Sequence, residues 1–192
     1  GLGRLRETAQ QGGGEHLDTQ GAEDKEPFTS LQQFARGQTA QLAYCGTKNQ
    51  PIALDAYQKA SASGFTSQVW QAELHHRLGV SWEAAGNLEK AKSELLASLA
   101  KRPNSPETVN NLGYVYSKLG EKQNALASFE KAVLMRPNYA IARFNLAEAI
   151  ADANPKRAIT EYETYLALTE GIPEEADRSA LAQSRVKALK HQ

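Results

Sequence analysis

Few residues in this chain have the types and spacing to carry chemistry. The histidines are His16, His75, His76 and His191, and Cys45 is the single cysteine. On a helix, adjacent His75 and His76 point about 100° apart, so they cannot jointly grip a metal as residues three or four apart could. The reading is structural, with His75 in the packing between helices and His76 on the solvent or groove side. Cys45 has no partner nearby in sequence and reads as a semi-buried, inert thiol, and one cysteine forms neither an internal disulfide nor a cysteine-based zinc site. Gly12-Gly13-Gly14 lacks the Gly-Lys-Ser or Gly-Lys-Thr of a phosphate loop and has no strand before it, so it reads as linker. Glu121, Glu130 and Glu161 recur on helix exteriors, where solvated charge is the default, and they suggest no acid–base pair. The expectation is a protein that is not an enzyme, with no catalytic residues, no metal and no cofactor.

A chain of 192 residues with 41% hydrophobic content can bury a core. Its 22 basic and 22 acidic residues cancel, which disfavours bulk attraction to nucleic acid or to an anionic membrane. No stretch approaches the roughly 18 to 20 apolar residues that cross a bilayer, so no direct membrane insertion is expected. Residues 1–26 hold the glycine triplet and only Leu2, Leu5 and Leu17 as large apolar side chains, and are expected to be a flexible arm or linker. From Pro27 onward, Ala- and Leu-rich segments alternate with short Gly, Asn or Pro breaks and no strand pattern occurs, which predicts an all-α body over 27–192.

The body repeats itself. Leu78, Leu112 and Leu146 stand 34 residues apart, as do Gly79, Gly113 and Ala147, and Arg102-Pro103-Asn104 returns as Arg136-Pro137-Asn138. Gly86 and Gly120 fall where a first helix must end, and Pro103 and Pro137 stop a second one. The unit 106–139 carries Leu112-Gly113, Tyr116, Ala125, Phe129 and Pro137. The unit 72–105 carries Leu78-Gly79, Trp82, Ala91, Leu95 and Pro103, and the unit 140–172 carries Leu146-Ala147, Ile150, Ala158 and Tyr162 after one deletion in its turn. Ala53, Tyr57 and Ala60 mark a degenerate unit over 34–67 that lacks the Leu-Gly pair, and 173–190 reads as a capping helix with Leu181, Val186 and Leu189 inward.

This pattern resembles the tetratricopeptide repeat family, departing at the opening aromatic, where Val109 and His75 stand. The resemblance implies an all-α, right-handed superhelical solenoid of antiparallel helix hairpins whose first helices line a concave groove. In that register the groove presents His76, Arg77 and Val80, then Asn110, Asn111, Tyr114 and Lys118, then Ile141, Phe144, Asn145 and Glu148. Tyr114, Ile141 and Phe144 would be apolar anchors, and Asn111 and Asn145 a short row of amides along a peptide backbone. The carboxylate clamp known in the family is not matched, because only Asn111 fits it.

The implied function is a protein–protein interaction scaffold or adaptor that binds a peptide segment or helix of a protein partner. The alternatives are a self-associating structural module, forming a homo-oligomer, or an accessory domain of a larger envelope or secretion apparatus. The Arg-Pro-Asn unit ends and the run Tyr162, Tyr165, Leu166, Leu168 look like bacterial tetratricopeptide proteins. A trimmed export signal would then place the chain in the bacterial envelope or periplasm, and otherwise it would be cytoplasmic.

Overall fold

The computed structural model describes residues 27–42 and 49–191, and expectations placed on residues 1–26, on His16 and on Cys45 lie outside the described residues. The described residues form nine α-helices and no strand. In chain order these are α1 (Phe28–Leu42), α2 (Gln50–Ser63), α3 (Gln68–Ala84), α4 (Leu88–Lys101), α5 (Pro106–Lys118), α6 (Lys122–Met135), α7 (Ala140–Ile150), α8 (Pro155–Leu168) and α9 (Ala176–Lys190), with a 3-10 turn at Pro173–Glu175.

Short polar side chains set the helix starts. Asn49, Ser67, Asn87, Ser105 and Asn154 each accept a hydrogen bond from a backbone N–H of the first turn that has no partner within the helix. At the other end, Gly86 and Gly120 close α3 and α5 with φ of 79° and 78°, a left-handed conformation that costs a glycine nothing. The second helices α4 and α6 end at Lys101 and Met135, just ahead of Pro103 and Pro137.

Helices pair as antiparallel hairpins, α1 with α2, α3 with α4, α5 with α6 and α7 with α8. Small residues permit the close approach. A Cβ added at Gly79 would lie 2.6 Å from Leu95, and one at Gly113 would lie 2.8 Å from Phe129, so no larger residue fits without displacing the second helix. The opposed alanines Ala91, Ala125 and Ala158 are buried on the facing helices.

The first hairpin obeys the same rule in a different register. Gly37 makes the close approach there, since its added Cβ would meet the Tyr57 ring at 2.5 Å. Gly37 and Tyr57 are 20 positions apart, against 16 for Gly79–Leu95 and Gly113–Phe129, so its turn is four residues longer. That insertion hides the small residue from a search at fixed spacing. We propose the unit boundaries 72–105, 106–139 and 140–172 for the later hairpins, and a longer first unit that includes α1 and α2 entire.

Hairpins stack in sequence, so hydrophobic clusters run on from one to the next, from Phe34, Tyr57 and Leu74 through Leu95 and Val115 to Phe129, Leu146 and Tyr162. Buried tyrosines keep their hydroxyls satisfied: Tyr57 donates to Gln41 Oε1 at 3.0 Å and Tyr165 to Glu175 Oε2 at 2.9 Å. Helix α9 covers the last hairpin by packing on α8. Its inward residues are Ala182, which is fully buried, with Val186 and Leu189 partly so. Leu181, expected inward, is instead 46% exposed, and the position of α9 turned fully inward is its neighbour Ala182.

Candidate partner-binding face

First helices lie against first helices, and one position in each governs how they meet. His76, Asn110 and Phe144 occupy equivalent places in α3, α5 and α7, 34 residues apart. His76 and Asn110 meet the first helix of the next hairpin, whereas Phe144 turns toward α8 of its own hairpin. His76 Nδ1 lies 2.9 Å from Thr108 Oγ1, which is 2.8 Å from Ser105 Oγ at the start of α5. Asn110 is 4% exposed and its Oδ1 accepts from Asn145 Nδ2 at 2.9 Å. Phe144 is 8% exposed, packed edge-on against Tyr162 and Tyr165 at centroid distances of 5.7 and 5.2 Å, with the Arg178 guanidinium at 5.9 Å from its ring centre.

Three expectations change accordingly. Phe144 is a core residue and not an exposed groove anchor, because α8 and α9 close over its ring. Asn110 is interior. His76 serves the seam between hairpins rather than an open surface. The amide row also differs from a free ladder: Asn145 is committed to Asn110, whose own Nδ2 lies 3.5 Å from Asn111 Oδ1.

What stays open on the first-helix face centres on Tyr114, which is 42% exposed. Lys118 Nζ lies 4.8 Å from its ring centre and donates to Glu83 Oε1 at 2.6 Å, tying α5 to α3. That hydrogen bond to Glu83 raises the Lys118 pKa above its ordinary value. Arg77 Nε donates to Glu73 Oε1 at 2.7 Å. Val80, Asn111 and Ile141 are half-buried beside Tyr114's helix and its neighbours. Glu148 holds the cap: it accepts from Arg185 Nε at 3.1 Å and Nη2 at 3.2 Å, and from the Tyr162 hydroxyl. Burial, followed by the bond to Glu148, pushes the Tyr162 pKa up.

Burial pushes the His76 pKa down, from 6.5 to about 4. Its ring is therefore neutral near pH 7, and the unfolded chain takes up the proton first as the medium acidifies. Stability should be complete above about pH 6.5, fall between there and about pH 4 by up to roughly 3 kcal/mol, and level off below. Urea titrations across this range check it, and His76→Gln should flatten that part of the profile.

What sequence reasoning missed is the pairing of polar residues that joins one hairpin to the next. Thr108 sits 32 positions after His76, Lys118 sits 35 after Glu83, and Asn145 sits 35 after Asn110. A search for complementary polar types about one repeat apart would have found these pairs. Among the described residues no three His, Cys, Asp or Glu side chains gather as a metal site, and no described helix is long and apolar enough to cross a membrane.

Comparison with known proteins agrees with this geometry. The tetratricopeptide repeat model matches residues 106–139. Among solved structures, SycD, the type III secretion translocator chaperone of Yersinia enterocolitica, is 19% identical over 62% of this chain and 82% of its own, with a TM-score of 0.58. YrrB, described as a TPR protein with an unusual peptide-binding site, is 17% identical over 74% of this chain and 70% of its own, with a TM-score of 0.60. MamA is 17% identical over 88% of each chain, with a TM-score of 0.61. At these identities the likeness is one of fold. Residues 106–139, the α5–α6 hairpin, match a tetratricopeptide repeat, and the described residues as a whole form an all-α solenoid of helix hairpins.

Proposed function

We propose that the chain is a protein-interaction scaffold whose first-helix face forms a concave groove for a peptide segment or helix of a partner protein. The observation that carries this reading is Tyr114. A half-exposed aromatic ring with the Lys118 ammonium over it, on a face that also carries half-buried Val80 and Ile141, has the composition of a binding hot spot. The nature of the structural neighbours supports it: SycD has been solved with a peptide of the translocator YopD, and YrrB is described by its peptide-binding site. Of the groove residues read from the sequence, Arg77, Val80, Asn111, Tyr114, Lys118 and Ile141 remain candidates for contact. His76, Asn110, Phe144 and Asn145 hold the hairpins in line beneath them, and Glu148 fixes the cap.

The test is affinity capture from the native source, followed by calorimetric titration of the captured partner. Tyr114→Ala should weaken binding by about 2 kcal/mol, as expected of a hot spot. Folding stability should change by no more than about 0.5 kcal/mol. Unchanged affinity would remove Tyr114 from the interface.

A second reading, self-association, is favoured by Leu134, which stands 82% exposed on α6, away from the first-helix face. SycD has likewise been solved in an alternative dimer. Sedimentation over a range of concentrations should show a single species if the first reading holds alone. A concentration-dependent dimer that Leu134→Ser abolishes would establish the second.

A further inference from the structure

The open cations of the first-helix face are already engaged. Lys118 is bonded to Glu83 and Arg77 to Glu73, each pair within 2.7 Å and with both members at least partly open to solvent, and at the capped end Arg185 of α9 holds Glu148 of α7. A carboxylate entering this face must displace a resident carboxylate from its cation and then lie beside it as a like charge. An entering ammonium meets the mirror situation at Glu83 or Glu73. Partly exposed ion pairs are worth little, and exchanging one for another gains less still. Charge of either sign therefore brings a ligand no net attraction here, and the apolar contact at Tyr114 decides what binds.

Resting on the groove reading above, we propose that the occupant is a charge-poor segment of a partner protein, free of runs of like charge, that sets one apolar side chain against the Tyr114 ring. The Glu83–Lys118 pair is the selectivity device. Lys118 bridges α3 and α5 while its ammonium caps the ring, so it positions Tyr114 and withholds its charge at once. Because no counterion is released when such a segment docks, affinity should barely respond to salt, as expected of contacts without net charge.

Three sets of fluorescein-labelled synthetic peptides test this by anisotropy, each peptide bearing one central Leu or Phe, with strongly acidic, neutral or strongly basic flanks. The neutral set should bind about tenfold tighter than either charged set and equally well at low and high salt. Tyr114→Ala should erase that preference and Tyr114→Phe should retain it. Glu83→Gln, which releases Lys118, should raise affinity for the acidic set by about fivefold. A wild-type preference for acidic or basic peptides, or a steep loss of binding with salt, would overturn the inference while leaving the groove reading intact. Failure of every set to bind would overturn the groove reading and this inference with it, and sedimentation would then show whether a second copy of the chain is the occupant.

Discussion

Gly113→Leu should lower the stability of the fold by about 3 kcal/mol or more, seen as a reduced urea midpoint. The cause lies in the hairpin spacing. A Cβ at this position would stand 2.8 Å from Phe129 Cε1, 2.9 Å from Cδ1 and 3.0 Å from the Ser128 Cβ. Phe129 is itself buried, with Ala125 and Ala132 beside it on α6, so the ring has no free volume to enter. The two helices must separate, and because each hairpin is braced only by its neighbours, the disturbance should pass to α3–α4 and α7–α8. Gly120 provides the contrast. Nothing lies within 4 Å of its added Cβ, and its φ of +78° is the only obstacle, so Gly120→Ala should cost about 1 kcal/mol. Equal effects of the two changes would contradict the close approach.

Phe144→Ala should be the second large change, costing about 3 kcal/mol by opening a cavity among α7, α8 and α9. Its ring lies against Tyr162 and Tyr165, both fully buried, and beneath the Arg178 guanidinium. Phe144→Leu keeps most of the volume and should cost less than about 1.5 kcal/mol. Differential scanning calorimetry would read both. Partner affinity, measured where the variants remain folded, should be unaltered, because the ring does not reach the open face. A Phe144→Ala variant with full stability and lost binding would return the residue to the groove.

The fold was legible in the sequence because a 34-residue period fixes most of the geometry at once. Gly79 and Gly113 announce where helices touch, Gly86 and Gly120 where they turn, and Pro103 and Pro137 where they stop. The first hairpin was legible only as a degenerate unit over 34–67, because its turn is four residues longer, which moved Gly37 out of the repeating spacing while leaving its contact with Tyr57 intact. Leu181 was placed inward by helical spacing alone, whereas the packing of α9 chose Ala182, the smaller neighbour.

The face itself was only partly legible. Family register places a residue on the first helix, but it does not say whether the next hairpin covers it. His76, Asn110 and Phe144 share one register position, and all three are covered: His76 by a threonine hydroxyl and Asn110 by an asparagine amide of the next hairpin, Phe144 by two tyrosine rings of its own second helix. Tyr114 stays open because the side chain is long and Lys118 caps it instead of a neighbouring helix. That distinction depends on what packs over each first helix, which the register position alone does not encode.

The most direct test of the account replaces Tyr114, and separately Leu134, with a photoreactive phenylalanine derivative, followed by irradiation in extract from the native source and mass spectrometry of the adducts. Position 114 should crosslink to a discrete segment of one partner protein, and position 134 should not crosslink to that segment. Crosslinking of the partner from position 134 and not from 114 would place the interface on the opposite side of the solenoid and contradict the groove.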